Sequence, residues 1–153
     1  MSSKSKITIV AIILGLVVLA ILLNYISSEI YSLKYWNPIR RAYFKNTFVK
    51  AEEVRTAEKI ERGLAGRESL GEGRGMLFVM PQNDYQRFWM KGMLFPLDII
   101  WIENGRVIGC ESRILPDDQR IFTSPEKASL VLEVNAGFCE KYNVLLNDPV
   151  NIR

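Results

Sequence analysis

No histidine occurs anywhere in the 153 residues. That absence removes Ser-His-Asp and Cys-His catalysis and the usual imidazole metal sites. Cysteine is nearly as scarce: Cys110 and Cys139 are the only 2, and their wide separation leaves no CxxC motif for zinc or thioredoxin-like chemistry. The pair leaves two alternatives, two buried thiols acting as small hydrophobes or, outside the cytoplasm, one disulfide. A nucleotide fingerprint is missing too. Gly66, Gly71, Gly73 and Gly75 make a loop, but without G-x-G-x-x-G spacing after a strand and without G-K-[ST]. Met76, Met80, Met90 and Met93 invite a soft-metal reading, yet thioethers in strands commonly fill cores. The sequence therefore points to no metal and no cofactor.

Charge is unevenly spread. Through Phe44 there are five basic residues and one acid, Glu29; from Lys45 onward fifteen basic residues face sixteen acids. The formal net charge of +3 thus belongs to the N-terminal flank. A near-neutral remainder has no electrostatic footprint for nucleic acid. The flank surrounds "ITIVAIILGLVVLAILLNYI", Ile7 to Ile26, an uncharged run of the length that spans a bilayer as a helix. Residues 1–26 are read as a transmembrane anchor, with a cleaved signal sequence as the alternative. Tyr25, Tyr31, Tyr35 and Trp36 suit a membrane–water interface, and residues 27–50 read as a juxtamembrane linker, although Phe44 to Val49 also suits a strand. Counting positive charges keeps the C-terminal part in the cytoplasm, while the short basic tail before the run resembles an export signal.

Residues 51–153 read as the folded domain. Thr56 caps a short helix that Gly63 ends. β signals follow in "GMLFVM", "RFWMKGM", "LDIIWIE", "RVIGCESRI" and "SLVLEV", with a second short helix in "NAGFCEKYN" and a last strand in "LLNDPVNI". Asn104-Gly105 is the signature of a type I′ hairpin. In "DIIWIE" both alternating faces are apolar, as in a central strand covered on two sides. The predicted class is mainly β: a small sandwich, jelly roll or barrel with two short helices, preceded by one transmembrane helix.

"RGLAGRESLGEGRGMLFVMP", "FWMKGMLFPLDIIWIENGRVIG" and "VLEVNAGF" resemble the blocks of the DUF192 (UPF0127) family, in the family's order. The resemblance covers about Val54 to Val150 and implies a β-rich domain of sandwich or jelly-roll type that is frequently exported. The resemblance brings no established enzymatic activity with it, so it implies a fold and little chemistry. Two places depart from the pattern. Gly63-Leu64-Ala65-Gly66-Arg67 stands where the family usually reads G-L-M-x-R, and Trp89-Met90-Lys91-Gly92-Met93 stands where it reads W-M-K-N-T.

The candidate site is a polar cluster of Arg67, Trp89, Lys91, Asp98 and Glu133, with Asp98 the expected partner of Lys91. Such a cluster can hold a carboxylate, a sugar or a peptide end, or simply fix strand register as an ion-pair network. The expected function is a membrane-anchored, extracytoplasmic binding or accessory domain for a small polar ligand. One alternative is a hydrolase-type enzyme in which Asp98 and Glu133 act as acid and base with Lys91. Another is a subunit that binds a second membrane protein.

Overall fold

The computed structural model describes residues 14–23 and 36–153. The chain divides into two compact units, Met1–Trp36 and Asn37–Arg153. In the first, residues 14–23 are helical and exposed; the rest of the expected 7–26 span lies outside the described residues. Among the described residues no helix is long and apolar enough to cross a membrane.

The second unit is mainly β. Its strands are β1 (Ile39–Tyr43), β2 (Phe48–Val54), β3 (Arg74–Asp84), β4 (Arg87–Phe88), β5 (Leu97–Glu103), β6 (Arg106–Ile114), β7 (Phe122–Thr123), β8 (Ala128–Asn135) and β9 (Asn151–Ile152). Two short helices are α1 (Ala57–Arg62) and α2 (Phe138–Lys141). Seven strands form one sheet in the order β6-β5-β8-β3-β2-β1-β9, and β4 pairs only with β7. All pairings are antiparallel except β2 with β3. Of the expected sandwich, jelly roll or barrel, the sheet comes nearest the last: it is a single layer curled into a half-barrel. β1 and the start of β2 lie within residues 27–50, so the segment read as a linker already contributes to the sheet.

The segment before and through β9 closes the curl. Residues leading to β9 pass along the β5–β6 hairpin, where Val107 N–H donates to the Asp148 carbonyl at 2.9 Å and Val150 N–H to the Gly105 carbonyl at 2.8 Å. The chain then pairs β9 with β1 at the opposite edge. Both sheet edges are thereby tied to one short segment.

Each face carries its own core. One holds Met76, Phe78, Ile99, Trp101 and Val131, packed with Leu64, Phe88 and Phe122 from outside the large sheet. The other holds Leu77, Ile100, Ile102, Leu132 and Val134, with Val49, Cys139 and Val150. β5 supplies both cores through alternate residues, and all but its last residue are buried. The doubly apolar pattern of "DIIWIE" has this cause. The hairpin turn is as its sequence requires, with φ 49° at Asn104 and 68° at Gly105. The expected strand "RFWMKGM" is cut to Arg87–Phe88, because the chain turns at Lys91-Gly92 with Gly92 at φ 76°. β3 runs the other way, past Pro81 to Asp84, through an irregularity after Val79 that accommodates the missing N–H.

Candidate functional site

Glu133 lies on β8 between two apolar neighbours in register, Met76 of β3 and Ile99 of β5. Residues directly opposite in an antiparallel pair share a face. The carboxyl is therefore set into the first core. It is 5% exposed, and its Oε2 has no hydrogen-bond partner. Burial alone pushes the carboxyl up to about 8, so it is mostly protonated at neutral pH. A buried carboxyl with an unused oxygen costs stability, since desolvation is not repaid.

Above it sits a cavity of about 370 Å³. α1 and its end provide Ile60, Gly63, Leu64 and Ala65; β3 provides Phe78 and Met80. The β4 segment and the following turn provide Arg87, Phe88, Trp89, Lys91 and Met93. α1 reaches this place because Thr56 accepts from Lys59 N–H at 3.4 Å and Gly63 ends the helix at φ 51°. A Cβ at Gly63 would come within 3.4 Å of the Phe78 ring and 3.9 Å of Glu133 Oε2. A glycine thus lets the backbone lie over the carboxyl. The interior is apolar and the cations Arg87 and Lys91 are exposed.

Three of the five expected site residues meet here: Trp89, Lys91 and Glu133. The other two do not. Arg67 forks onto Glu52, with Nη1–Oε1 at 2.6 Å and Nη2–Oε2 at 2.8 Å. The Arg67 hydrogen bonds are the main reason the Glu52 carboxyl is held below its ordinary range. Asp98 is fully buried on the opposite face, since it pairs with Val134 while Glu133 pairs with Ile99. Its oxygens accept three backbone N–H groups: Arg113 at 2.7 Å, Gly137 at 2.9 Å and Cys139 at 2.8 Å. Asp98 therefore ties the end of β6 to the start of α2, and the expected Lys91–Asp98 pair is not formed. Nor do Asp98 and Glu133 share a cleft, as an acid–base pair requires.

Beside Asp98, Cys110 and Cys139 form a disulfide. The carboxylate and the two sulfurs lie within 4.8 Å of one another, the spacing of a metal site. Both sulfurs are bonded to each other and the carboxylate is filled by N–H donors, so this group is a structural clasp rather than a ligand set. The methionines serve the first core and the cavity: Met76, Met90 and Met93 are buried in that core, and Met93 also lines the cavity with Met80. Sequence reasoning missed the apolar lining and Arg87, because such residues read as ordinary core and surface until α1 and β4 are brought together.

A curled, mainly β domain with one buried, unpartnered acid below an apolar cavity is the class that fold and site define. The model of the DUF192 family, described as an uncharacterized ACR, matches residues 41–152, and the chain belongs to that family. Among curated proteins none matches the chain. Two solved structures are similar. A Novosphingobium aromaticivorans protein of unknown function is 26% identical at a TM-score of 0.70, over 75% of this chain and 84% of that one. A Sinorhizobium meliloti protein, named a "putative transcription regulator", is 26% identical at a TM-score of 0.69, over 74% of this chain and 91% of that one.

The departures from the family pattern named above converge. Ala65 and Met93 both line the cavity, and a Cβ at Gly92 would come within 3.3 Å of the Ala65 Cβ. Position 65 thus gives the cavity wall a small side chain and position 93 a large one.

Proposed function

We propose that this protein is a binding domain for a small ligand, held at a membrane by its N-terminal helix with the domain outside the cytoplasm. One observation carries the binding reading: Glu133, buried and unpartnered, at the floor of an apolar cavity. Such a carboxyl lowers stability unless something occupies the cavity and completes its hydrogen bonding. The uncharged run of residues 7–26 supports the anchor. The Cys110–Cys139 disulfide supports an oxidising compartment, against the charge count. Paired-carboxylate hydrolysis has little support, with Asp98 spent on backbone N–H groups on the other face. A nucleic-acid role, which the name of the Sinorhizobium meliloti relative suggests, fits poorly with a near-neutral domain.

A thermal-shift screen of the full chain against sugars, amino acids, peptides, nucleotides, aliphatic acids and amines tests the binding reading. A ligand at about 100 times its Kd stabilises the fold by roughly 2.7 kcal/mol and raises Tm by several degrees. The expected hit disappears in Ala65→Phe, which fills the cavity. If no compound raises Tm, or if the shift survives Ala65→Phe, the cavity is not the site.

A further inference from the structure

The cavity is chemically asymmetric. Its floor is the Glu133 carboxyl, protonated at neutral pH, which can both donate and accept a hydrogen bond and currently does neither through Oε2. Its wall is aliphatic and aromatic. Its rim carries Arg87 and Lys91, both exposed and without an ion pair to any described residue, together with the charges of Glu61 and Arg62 at the end of α1. Arg87 and Lys91 against Glu61 make the rim positive. A cationic ligand would have to pass that rim. An anion at the floor would meet no positive partner. A wholly apolar ligand would leave Glu133 unpartnered. The arrangement that satisfies every group places an anionic head at the rim, an apolar body in the cavity and an uncharged hydrogen-bonding group at the floor.

We propose that the cavity takes a small amphipathic acid, its acid group between Lys91 and Arg87 and its far end bearing a hydroxyl or amide that hydrogen-bonds to Glu133. This rests on the reading of the cavity as a binding site. At about 30 Å³ per water-sized group, 370 Å³ holds about 12 non-hydrogen atoms. The body is therefore a short chain or one ring, smaller than a membrane lipid.

The test uses the full chain in phosphatidylcholine nanodiscs at pH 7, with empty discs as the blank. The probes are 8-hydroxyoctanoate, octanoate and octylamine, read by calorimetry. The hydroxy acid binds, octanoate binds about tenfold more weakly for want of the floor hydrogen bond, and octylamine does not bind. Glu133→Leu reduces the hydroxy acid to the level of octanoate. Glu133→Gln, whose amide also donates and accepts, keeps the preference. Arg87→Ala with Lys91→Ala weakens both acids about tenfold and removes their dependence on salt. Octylamine binding as tightly as the hydroxy acid overturns the acid class and leaves the cavity a site. Equal affinity for the two acids overturns the role of the floor. If none of the probes binds, or if binding is unchanged in Ala65→Phe, the proposal falls; a Tm shift in the broad screen then decides whether the cavity still binds something else.

Discussion

Glu133 and Asp98 are both buried acids, and their surroundings give them opposite roles. Glu133 lies between Met76 and Ile99 with no donor for Oε2, and its carboxyl is raised from 4.5 to about 8. The folded chain then holds a proton that the unfolded chain has lost between those values. Stability falls as pH rises through that window and levels off above it. Across the window the fall is on the order of 5 kcal/mol at 1.36 kcal/mol per unit, about 4 kcal/mol of it between pH 5 and pH 9. Urea unfolding at pH 5 and pH 9 should show this difference in the wild type and not in Glu133→Gln. Equal slopes in both proteins would mean that Glu133 does not titrate. Asp98, with three backbone donors, is the opposite case. Asp98→Ala leaves those N–H groups without an acceptor and should cost about 3 kcal/mol or more, at roughly 1–3 kcal/mol for each orphaned donor. A loss under about 1 kcal/mol by the same method would show that water replaces the carboxylate. Sequence could flag both acids as flanked by apolar residues. It could not separate their roles, because the neighbours that decide them come from β3, β6 and α2.

Among the elements, the strand and turn signals that depend on local chemistry were the legible ones. β5 has two apolar faces because two cores meet it, and Asn104-Gly105 turns because both residues tolerate positive φ. Signals that depend on distant partners were not legible. "RFWMKGM" has strand composition, but Gly92 turns it after two paired residues. Residues 39–50 look like part of a basic, aromatic linker until β3 and β9 are present to pair with β2 and β1. The two cysteines were ambiguous for the same reason, since only the meeting of β6 with α2 joins them. That link closes a separation of 29 residues, which corresponds to about 3–4 kcal/mol of lost unfolded-state entropy. The double variant Cys110→Ser, Cys139→Ser should lose that much stability, and a reductant should lower the wild-type Tm without affecting the variant. A wild-type Tm that is indifferent to reductant would mean that the link is absent in solution.

For the molecule as a whole, the compact unit beginning at Asn37 contains both cores, the cavity and the clasp. Residues 37–153 should therefore fold without the N-terminal unit and melt within a degree or two of the full chain. The shortened protein should leave the membrane fraction on cell disruption, while the full chain stays in it. A shortened chain still sedimenting with membranes would place the attachment elsewhere. Within the unit, β5 divides the labour. Its residues facing one way pack in the core beneath the cavity, and those facing the other way belong with the clasp and the closing C-terminal segment. Inherited changes on one side leave the opposite side chains untouched. On the binding reading proposed above, descendants of one ancestor can retune recognition around Ala65 and Met93 while the clasp on the other side of β5 stays as it is.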